Sequence, residues 1–442
     1  MINKQKKTIL FFEKYSYRTT CLIARKAMEM GYQPIVILDE SAPMMLKSEE
    51  PFKLITISDW SDANLWMLTQ EFVAKYPIIG ITSILGFFTG QGLLAHQLSK
   101  IAVKLGLPHI NPESLLLTNN KFLMRRKLQQ EGVYTVRHHW VQDEETLLQA
   151  CEKVGFPLIL KPIVGLGSSF ISYCENIDQA RQRYSDFLNN IDKGMHNAFF
   201  EAHEYMDESG ERWVFDPRKQ MLAEEAINGF ELSVECLCTE DQVYPLMVHD
   251  KLDVQQDTYC SFENLLITPP ARFDRQAEIK QYATDVLHAL GLTNNFSHVE
   301  LCLDCHGRPS IIEANPRIGG MRIVQSLKDV MDIDYPENFI KLVVGEEIIA
   351  PETIPASGYF AMAAVYPKKS GVLKAVHGVE EARNIPGIQD IAIRMQPGSH
   401  VGGDYEETFV VDAWLKSDSP EEIIKIDERF RALVKLEVTM DE

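Results

Sequence analysis

The first 115 residues alternate short apolar runs with longer amphipathic stretches. Residues 6–14 and 76–83 carry apolar runs of the length of a buried strand, and the stretches between such runs repeat apolar residues at helical spacing. Strands that alternate with helices are typical of a parallel sheet covered by helices. We therefore predict a parallel α/β domain over residues 1–115. Its loop at residues 83–92 would lie at the carboxyl end of a strand, where such sheets bind ligands.

The pattern changes further along the chain. Residues 111–133 repeat apolar positions as two helices do, with Lys121 near the start of the second. Strand and helix patterns then alternate to about residue 228, and residues 229–320 are mostly strand-like. We predict three domains in a chain of the α/β class, α+β overall. They are the N-terminal α/β domain, a central two-part domain over residues 116–348 and a β-rich domain over residues 349–442.

Residues 298–320 contain two short apolar runs around a polar tip, which predicts a β-hairpin. With the turn centred on His306 and Gly307, Glu300 lies opposite Glu313. Directly opposed residues have Cβ atoms about 5 Å apart, and like charges there are destabilising. The same register gives two further pairs, Leu301 with Ile312 and Cys302 with Ile311.

A divalent cation would turn this repulsion into binding. Mg²⁺ takes oxygen ligands and is usually held by one or two carboxylates together with substrate phosphates. Asn315, two residues after Glu313, returns to the same face of the strand and can add a carbonyl oxygen. Arg317 can then bind phosphate oxygens that the metal leaves free. The alternative is a pair of solvated glutamates on an exposed face, although both glutamates have apolar neighbours along the chain.

A second group of residues suits a phosphate. Lys161 ends an apolar strand, and four small residues follow it, Gly165, Gly167, Ser168 and Ser169. The lysine supplies a positive charge, and small residues let backbone N–H groups approach phosphate oxygens. A glycine pair in a hairpin is usually only a turn, and the sequence does not match the P-loop pattern.

Three glutamates mark a third segment, Glu224, Glu225 and Glu231. In isolation, an acidic edge strand is the better interpretation. A strand with exposed N–H and C=O groups can also bind adenine, while a carboxylate accepts hydrogen bonds from ribose hydroxyls.

The order of these segments resembles the ATP-grasp superfamily. Lys121, Lys161 with its loop, the glutamate segment, Glu300 and the Glu-x-Asn-x-Arg sequence at 313–317 follow one another over roughly residues 115–345. The resemblance implies an ATP-grasp fold with a lid over roughly residues 125–228, and ATP with Mg²⁺, or Mn²⁺ in its place, as cofactors.

The resemblance also implies roles for individual residues. Lys121 and Lys161 would contact the α- and β-phosphates, and Arg317 would stabilise charge during catalysis. The other implied contacts are Glu300, Glu313 and Asn315 with the metal, the loop of Gly167, Ser168 and Ser169 with the phosphates, Glu224 and the backbone of Glu225 and Ile227 with adenine, and Glu231 with ribose.

The sequence Asn-Pro-Arg-Ile-Gly-Gly-Met at 315–321 resembles bacterial L-amino acid ligases, which make dipeptides. The resemblance implies amide formation through an acyl phosphate, with release of ADP and phosphate. Gly319 and Gly320 would offer N–H groups to the substrate carboxylate, and Met321 would line the side-chain pocket. Glu263, assisted by His249, would bind the substrate amino group. For these glycines a simple turn is an equal alternative, and for Glu263 an exposed position is the commoner one.

Two other functions stay open. One is an ATP-grasp ligase or carboxylase that acts on a different carboxylate, and the other is a non-catalytic nucleotide-binding relative. The intact Glu300, Glu313, Asn315 and Arg317 argue against the second, because a protein that only binds nucleotide does not need them.

Composition excludes some classes of function. The 442 residues carry 44 basic against 63 acidic side chains, a net charge of -19, which argues against nucleic-acid binding through a basic face. The chain offers neither a signal-peptide pattern nor the ~20 apolar residues of a membrane helix, so we expect a cytoplasmic homodimer that acts on amino acids and contacts no membrane. Residues 302–306 match the haem-attachment pattern Cys-x-x-Cys-His, which we regard as a coincidence within the hairpin.

Overall fold

The N-terminal region is a parallel sheet, as predicted. The computed structural model describes residues 6–14, 17–41, 50–84, 89–165, 167–193, 200–207, 209–258, 261–348, 357–402 and 409–440. The sheet has the order β3-β2-β1-β4, and its central strand β1 is buried along its whole length. Its elements are β1 (Thr8–Glu13), α1 (Tyr17–Glu29), β2 (Gln33–Asp39), β3 (Lys53–Ile57), α2 (Asp62–Val73), β4 (Ile78–Thr82) and α3 (Thr89–Leu105). Of the loop predicted to bind ligand, residues 85–88 lie outside the described residues.

A second, smaller sheet follows. Strands β5, β10, β6 and β7 form it in that order, all antiparallel, and we call these four strands the lid sheet. Lys121 is the first residue of helix α5, after the cap Asn120, as predicted. The elements are α4 (Pro112–Asn119), α5 (Lys121–Gln130), β5 (His138–Val141), α6 (Glu144–Val154), β6 (Leu158–Pro162), β7 (Ser172–Cys174), α7 (Ile177–Asn190), a 3₁₀ turn (Ile191–Lys193), β8 (His203–Met206), β9 (Arg212–Phe215) and β10 (Met221–Glu225).

The largest sheet has eight strands in the order β15-β14-β11-β12-β13-β16-β20-β18, and β19-β17-β21 form a further small sheet. The central and C-terminal regions therefore share one sheet, which continues past the predicted boundary at residue 348. The elements are β11 (Gly229–Cys238), β12 (Val243–Gln256), β13 (Ser261–Thr268), α8 (Gln276–Ala289), β14 (Asn295–Asp304), β15 (Pro309–Asn315), α9 (Ile323–Met331), α10 (Tyr335–Val344), β16 (Tyr359–Val365), β17 (Gly371–His377), α11 (Val379–Ala382), β18 (Ile388–Ile393), β19 (His400–Val401), β20 (Val411–Ser417), α12 (Pro420–Leu433) and β21 (Lys435–Met440).

The two faces of the large sheet differ in chemistry. Successive side chains of a strand point to opposite faces. On β14, Val299, Leu301 and Leu303 join a hydrophobic core with Val286 and Leu287 of α8. The residues between them therefore point to the other face, where the charged side chains of the candidate site collect. Within the described residues, no helix is long and apolar enough to cross a membrane.

A buried ion pair links the start of α9 to the C-terminal strands. Asp412 of β20 is fully buried and accepts hydrogen bonds from the guanidinium of Arg322, which is 6% exposed. Arg322 Nη1 also donates to Asp390 of β18 at 2.6 Å. Because Arg322 directly follows Met321, this pair fixes the end of the Gly-Gly-Met segment against the far side of the sheet.

We predict that Asp412→Ala destabilises the protein strongly. Removing Asp412 leaves the buried guanidinium of Arg322 with only the half-exposed Asp390 as its carboxylate, and breaking a buried pair in this way costs up to about 3–5 kcal/mol. Urea denaturation measures the loss. Glu71→Ala, which removes an exposed pair with Lys75 at 3.8 Å, is the matched control and should change the unfolding free energy by less than about 1 kcal/mol. Equal effects of the two substitutions would contradict a structural role for the buried pair.

Candidate active site

The hairpin register brings the two predicted metal ligands together. Strands β14 and β15 are antiparallel, and Glu300 pairs with Glu313, which confirms that prediction. The two further pairs were wrong, because the register shifts by one residue after Glu300. Such a β-bulge opposes two residues to one and redirects the side chains beyond it. In the structure Leu301 pairs with Ile311 and Cys302 pairs with Ser310.

The bulge moves Ile311 to the apolar face. Leu301 and Ile311 both lie in the hydrophobic core, so Ile311 does not share the face of the carboxylates, as the predicted register required. The carbonyl of the extra residue, Ile312, faces Arg125 Nη2 at 3.5 Å. The bulge thus lets Glu313 stay opposite Glu300 while Ile311 packs in the hydrophobic core.

Cross-strand pairing arranges the polar residues in rows. His298 of β14 lies between Asn315 of β15 and Glu235 of β11. In the next row, Glu300 lies between Glu313 of β15 and Ser233 of β11. Carboxylates, an imidazole and an amide therefore share one face of the sheet within a few residues of one another.

Each of the opposed carboxylates has its own cation. Glu313 Oε2 lies 2.9 Å from Lys121 Nζ, and its other oxygen accepts from Asn315 Nδ2 at 2.7 Å. Glu300 Oε2 lies 2.9 Å from Lys251 Nζ. Burial raises the pKa of both carboxyls, but these cations outweigh burial and hold both pKa values below the ordinary range. Both glutamates are therefore ionised, and lysines offset their mutual repulsion.

Lys251 is the central cation of the site, and the sequence analysis missed it. Its ammonium contacts Glu300, Glu231 at 3.4 Å, and Glu263, while its side chain is only 1% exposed. Burial lowers the pKa of Lys251, but the three carboxylates raise it well above the ordinary value. Oxygens of the same three glutamates lie within 4.8 Å of one another, a spacing that suits a metal ion. The signal in the sequence was a lysine two residues after His249 on a long strand.

His298 and Glu235 form a second unpredicted pair. His298 Nδ1 lies 2.5 Å from Glu235 Oε1, and Nε2 lies 3.4 Å from Glu300 Oε1. Burial lowers the pKa of His298, but Glu235 and Glu300 outweigh it and raise the pKa to about 10. The raised pKa favours the charged imidazole, whose Nδ1 faces Glu235 within hydrogen-bond distance. No short sequence pattern could predict this pair, because 63 residues separate His298 from Glu235.

The predicted phosphate contacts lie around Glu224. Lys161 Nζ lies 2.6 Å from Glu224 Oε2, and Arg125 Nε lies 2.7 Å from Glu224 Oε1. Burial raises the pKa of Glu224, but the two cations bring it to about 2. Arg125 was not predicted. Since both carboxylate oxygens already bind cations, Glu224 orients Lys161 as well as lining the predicted adenine site.

The predicted adenine strand and phosphate loop both face the cleft. The N–H of Glu225 donates to the Arg137 carbonyl at 2.9 Å, so this N–H is already used. Gly167 and Ser168 adopt left-handed φ values of 59° and 52°. Residue 166 of the same loop lies outside the described residues. The lid sheet touches the large sheet through Ser172 Oγ, which donates to the Thr258 carbonyl at 3.1 Å.

The segment after β15 differs in part from the prediction. Arg317 is half-buried, and its Nη1 donates to the Ile318 carbonyl at 2.9 Å. The Gly319 N–H donates to Glu235 Oε2 at 3.3 Å and Gly319 does not line the cleft, so its contact with a substrate carboxylate stays a prediction. Gly320 and Met321 do line the cleft. His249 is fully buried against Ser326, 3.0 Å away, and does not line the cleft, so the assisting role suggested for it was wrong.

The candidate site lies in one cavity of about 760 Å³. It is lined by every predicted site residue except Gly319 and His249, together with Arg125, Lys251 and His298. Glu263 lies in this cavity and contacts Lys251, so it is not the surface glutamate of the alternative interpretation. The predicted site residues that line this cavity are Lys121, Lys161, Gly167, Ser168, Ser169, Glu224, Glu225, Ile227, Glu231, Glu263, Glu300, Glu313, Asn315, Arg317, Gly320 and Met321.

Comparison with known proteins agrees with this architecture. Residues 154–325 match the model of an ATP-grasp domain, and residues 363–439 match the L-amino acid ligase C-terminal domain 2. The alanine–anticapsin ligase of Bacillus amyloliquefaciens is 23% identical over 377 residues, which are 79% of this chain and 76% of the relative.

Two solved structures share the fold. An L-amino acid ligase from Bacillus licheniformis superposes with a TM-score of 0.78 at 18% identity, over 99% of this chain and 100% of that one. The biotin carboxylase domain of the 2-oxoglutarate carboxylase from Hydrogenobacter thermophilus, solved with MgADP and bicarbonate, superposes with a TM-score of 0.68 at 16% identity, over 98% and 92%.

The lid sheet, the large sheet and the cavity between them are those of an ATP-grasp protein, and the domain match agrees. The C-terminal match adds a second domain, so the chain combines an ATP-grasp domain with an L-amino acid ligase C-terminal domain.

We predict that Lys251→Met destabilises the protein and creates a divalent-cation site. Methionine keeps the length of the side chain and removes the ammonium that Glu231, Glu263 and Glu300 share, at a cost of about 3–5 kcal/mol. Mn²⁺ without nucleotide should then raise the melting temperature of the variant more than that of the wild type. Lys75→Met, at an exposed pair, is the control. Unchanged stability of Lys251→Met would contradict a central role for this ammonium.

Proposed function

We propose that this enzyme uses ATP and Mg²⁺ to join the carboxylate of an L-amino acid to an amine, in particular that of a second amino acid. The observation that carries the proposal is the set of charged side chains that line the cavity of the candidate site. Two opposed carboxylates, Glu300 and Glu313, lie beside the cations Lys121, Lys161 and Arg317 in that cavity. This is the combination that a metal-bound triphosphate and a reacting carboxylate require.

The donor set fits Mg²⁺. Glu300, Glu313 and Asn315 supply only oxygen ligands, and Asn315 directs its NH₂ group at Glu313, so its Oδ1 remains an acceptor. When bound, Mg²⁺ neutralises charge on phosphate oxygens and helps to orient them. Lys121, now paired with Glu313, lies where it would contact those oxygens in turn.

The remaining proposed contacts with the nucleotide are inferred from the neighbours that each residue has in the structure. Lys161, held by Glu224, is proposed to bind an α- or β-phosphate, with Gly167, Ser168 and Ser169 above it. We propose that adenine contacts the strand at Glu224, Glu225 and Ile227, and that ribose contacts Glu231. Because the Glu225 N–H is taken by Arg137, its carbonyl group is the available part of that backbone.

The proposed reaction has two steps. An oxygen of the substrate carboxylate attacks the γ-phosphorus of ATP, the bond to the β–γ bridging oxygen breaks, and ADP leaves. The amine then attacks the acyl carbon, loses a proton, and phosphate leaves with the electrons of the C–O bond. Arg317 is half-buried and lines the same cavity as the proposed metal ligands, so its positive charge would act where negative charge develops on phosphoryl and carbonyl oxygens.

The amino-acid substrates are proposed to bind at the end of the cavity near Gly320 and Met321, with Glu263 facing the amino group. Because Glu263 contacts Lys251, a substrate ammonium would share this carboxylate with the lysine. A homodimer in the cytoplasm stays a prediction from the sequence.

We predict that ADP and phosphate form in equal amounts with an amide, and only when Mg²⁺, a carboxylate substrate and an amine are all present. A screen of L-amino acid pairs with phosphate release as readout measures this, and mass spectrometry identifies the product. Omitting Mg²⁺, or adding EDTA, is the control. Formation of AMP and pyrophosphate would contradict the acyl-phosphate route, and turnover with bicarbonate alone would favour a carboxylase.

We predict that Arg317→Ala lowers the rate of amide formation about a hundredfold, which is the usual loss for one charged donor at a transition state. ATP affinity should persist, because Lys121 and Lys161 are untouched. Arg317→Lys keeps the charge but loses the planar fork, so it should restore the rate only in part. Calorimetric ATP affinity is measured beside the rate at saturating ATP. A collapse of affinity at an unchanged rate would make Arg317 a ground-state phosphate contact instead.

A further inference from the structure

A continuous chain of ion-pair contacts and hydrogen bonds joins a proposed metal ligand to the Gly-Gly-Met segment. It runs from Glu300 to His298, from His298 to Glu235, and from Glu235 to the N–H of Gly319. Three of its members come from two neighbouring strands, β14 and β11, and the fourth begins the Gly-Gly-Met segment. We call these four residues the relay.

The imidazole of His298 has a carboxylate at each of its two ring nitrogens. Its Nδ1 faces Glu235 at 2.5 Å and its Nε2 faces Glu300 at 3.4 Å. Carboxylates accept hydrogen bonds, so each ring nitrogen presents an N–H. The ring is buried, and it therefore orients both carboxylates from a fixed position between them.

Glu235 transmits this position to the substrate segment. It is fully buried, and its two oxygens are divided between His298 and the Gly319 N–H. The approach is close, because a Cβ on Gly319 would lie 2.7 Å from His298 Nδ1. Only glycine fits there, and the segment that carries Gly320 and Met321 into the cavity rests directly on the imidazole.

We propose that His298 and Glu235 are positioning residues that couple the metal ligand Glu300 to the binding of the amino-acid carboxylate at the Gly-Gly-Met segment. The proposal rests on the proposed function. A metal that draws Glu300 toward itself reorients the ring, and the ring sets Glu235 and the Gly319 amide. Neither residue needs to touch substrate or metal for this effect.

Two substitutions at His298 separate the ends of the relay. An asparagine amide reaches about as far as Nδ1, so His298→Asn keeps the donor to Glu235 and loses the donor to Glu300. A glutamine amide reaches about as far as Nε2, so His298→Gln does the reverse. His298→Ala loses both. His377→Ala is the matched control, because His377 pairs with Glu437 at 2.9 Å on the exposed C-terminal strands.

The expected results differ for each variant. His298→Asn should raise the Mg²⁺ concentration for half-maximal activity about tenfold, with little change in the KM of the amino acid. His298→Gln should raise that KM about tenfold, with little change in the Mg²⁺ requirement. Tenfold is the size expected for one hydrogen bond to a charged group. His298→Ala should change both parameters, and His377→Ala neither.

A second measurement does not depend on turnover. Hydrogen exchange of residues 316–323 is followed with and without Mg²⁺ and ADP. Binding should slow exchange in the wild type and in His377→Ala, but not in His298→Ala. Lack of any ligase activity in the wild type would overturn the proposed function, while this exchange experiment would still test the coupling. The proposal is overturned if Asn and Gln variants change the same parameter, or if exchange in His298→Ala slows as in the wild type.

Discussion

The arrangement of the residues around the hairpin depends on two ionised carboxylates, Glu300 and Glu313, that lie opposite each other on one face of the large sheet. Such a pair destabilises a sheet unless positive charge compensates it. Here the compensation comes from separate elements, Lys121 at the start of α5 for Glu313 and Lys251 on β12 for Glu300. The hairpin therefore keeps its conformation only when the first helix of the central domain and the neighbouring strands of the large sheet are in place.

Buried carboxylates also hold both ends of the segment that follows the hairpin. Its beginning is held by buried Glu235 through Gly319, and its end is held by buried Asp412 through Arg322. One carboxylate belongs to the central strands and the other to the C-terminal strands of the same continuous sheet. The C-terminal region is thus part of the wall that holds the Gly-Gly-Met segment, which is a physical link between the L-amino acid ligase C-terminal domain and the ATP-grasp domain.

The sequence was sufficient for features that depend on local pattern. The N-terminal parallel sheet, the hairpin, the opposition of Glu300 and Glu313 and the position of Lys121 all follow from periodicity, turn residues and spacing. The bulge at Ile312 was missed because a register shift depends on packing against α8 and on Arg125, which are distant in the chain. Lys251 and His298 were missed for a related reason, since their partners lie across strands whose order is not visible in the sequence.

These missed residues explain how a site with so many glutamates stays folded while remaining able to bind anions. Lys121 and Lys161 each pair with a carboxylate, Glu313 and Glu224, that belongs to the same proposed site. A metal ion taken by Glu313 competes with Lys121 for that carboxylate, and phosphate oxygens offer Lys121 a new partner. In the proposed function, metal and phosphate bound together would leave each of these charges compensated. The proposed binding of a metal–nucleotide complex thus accounts for the ion pairs of the structure better than binding of either part alone.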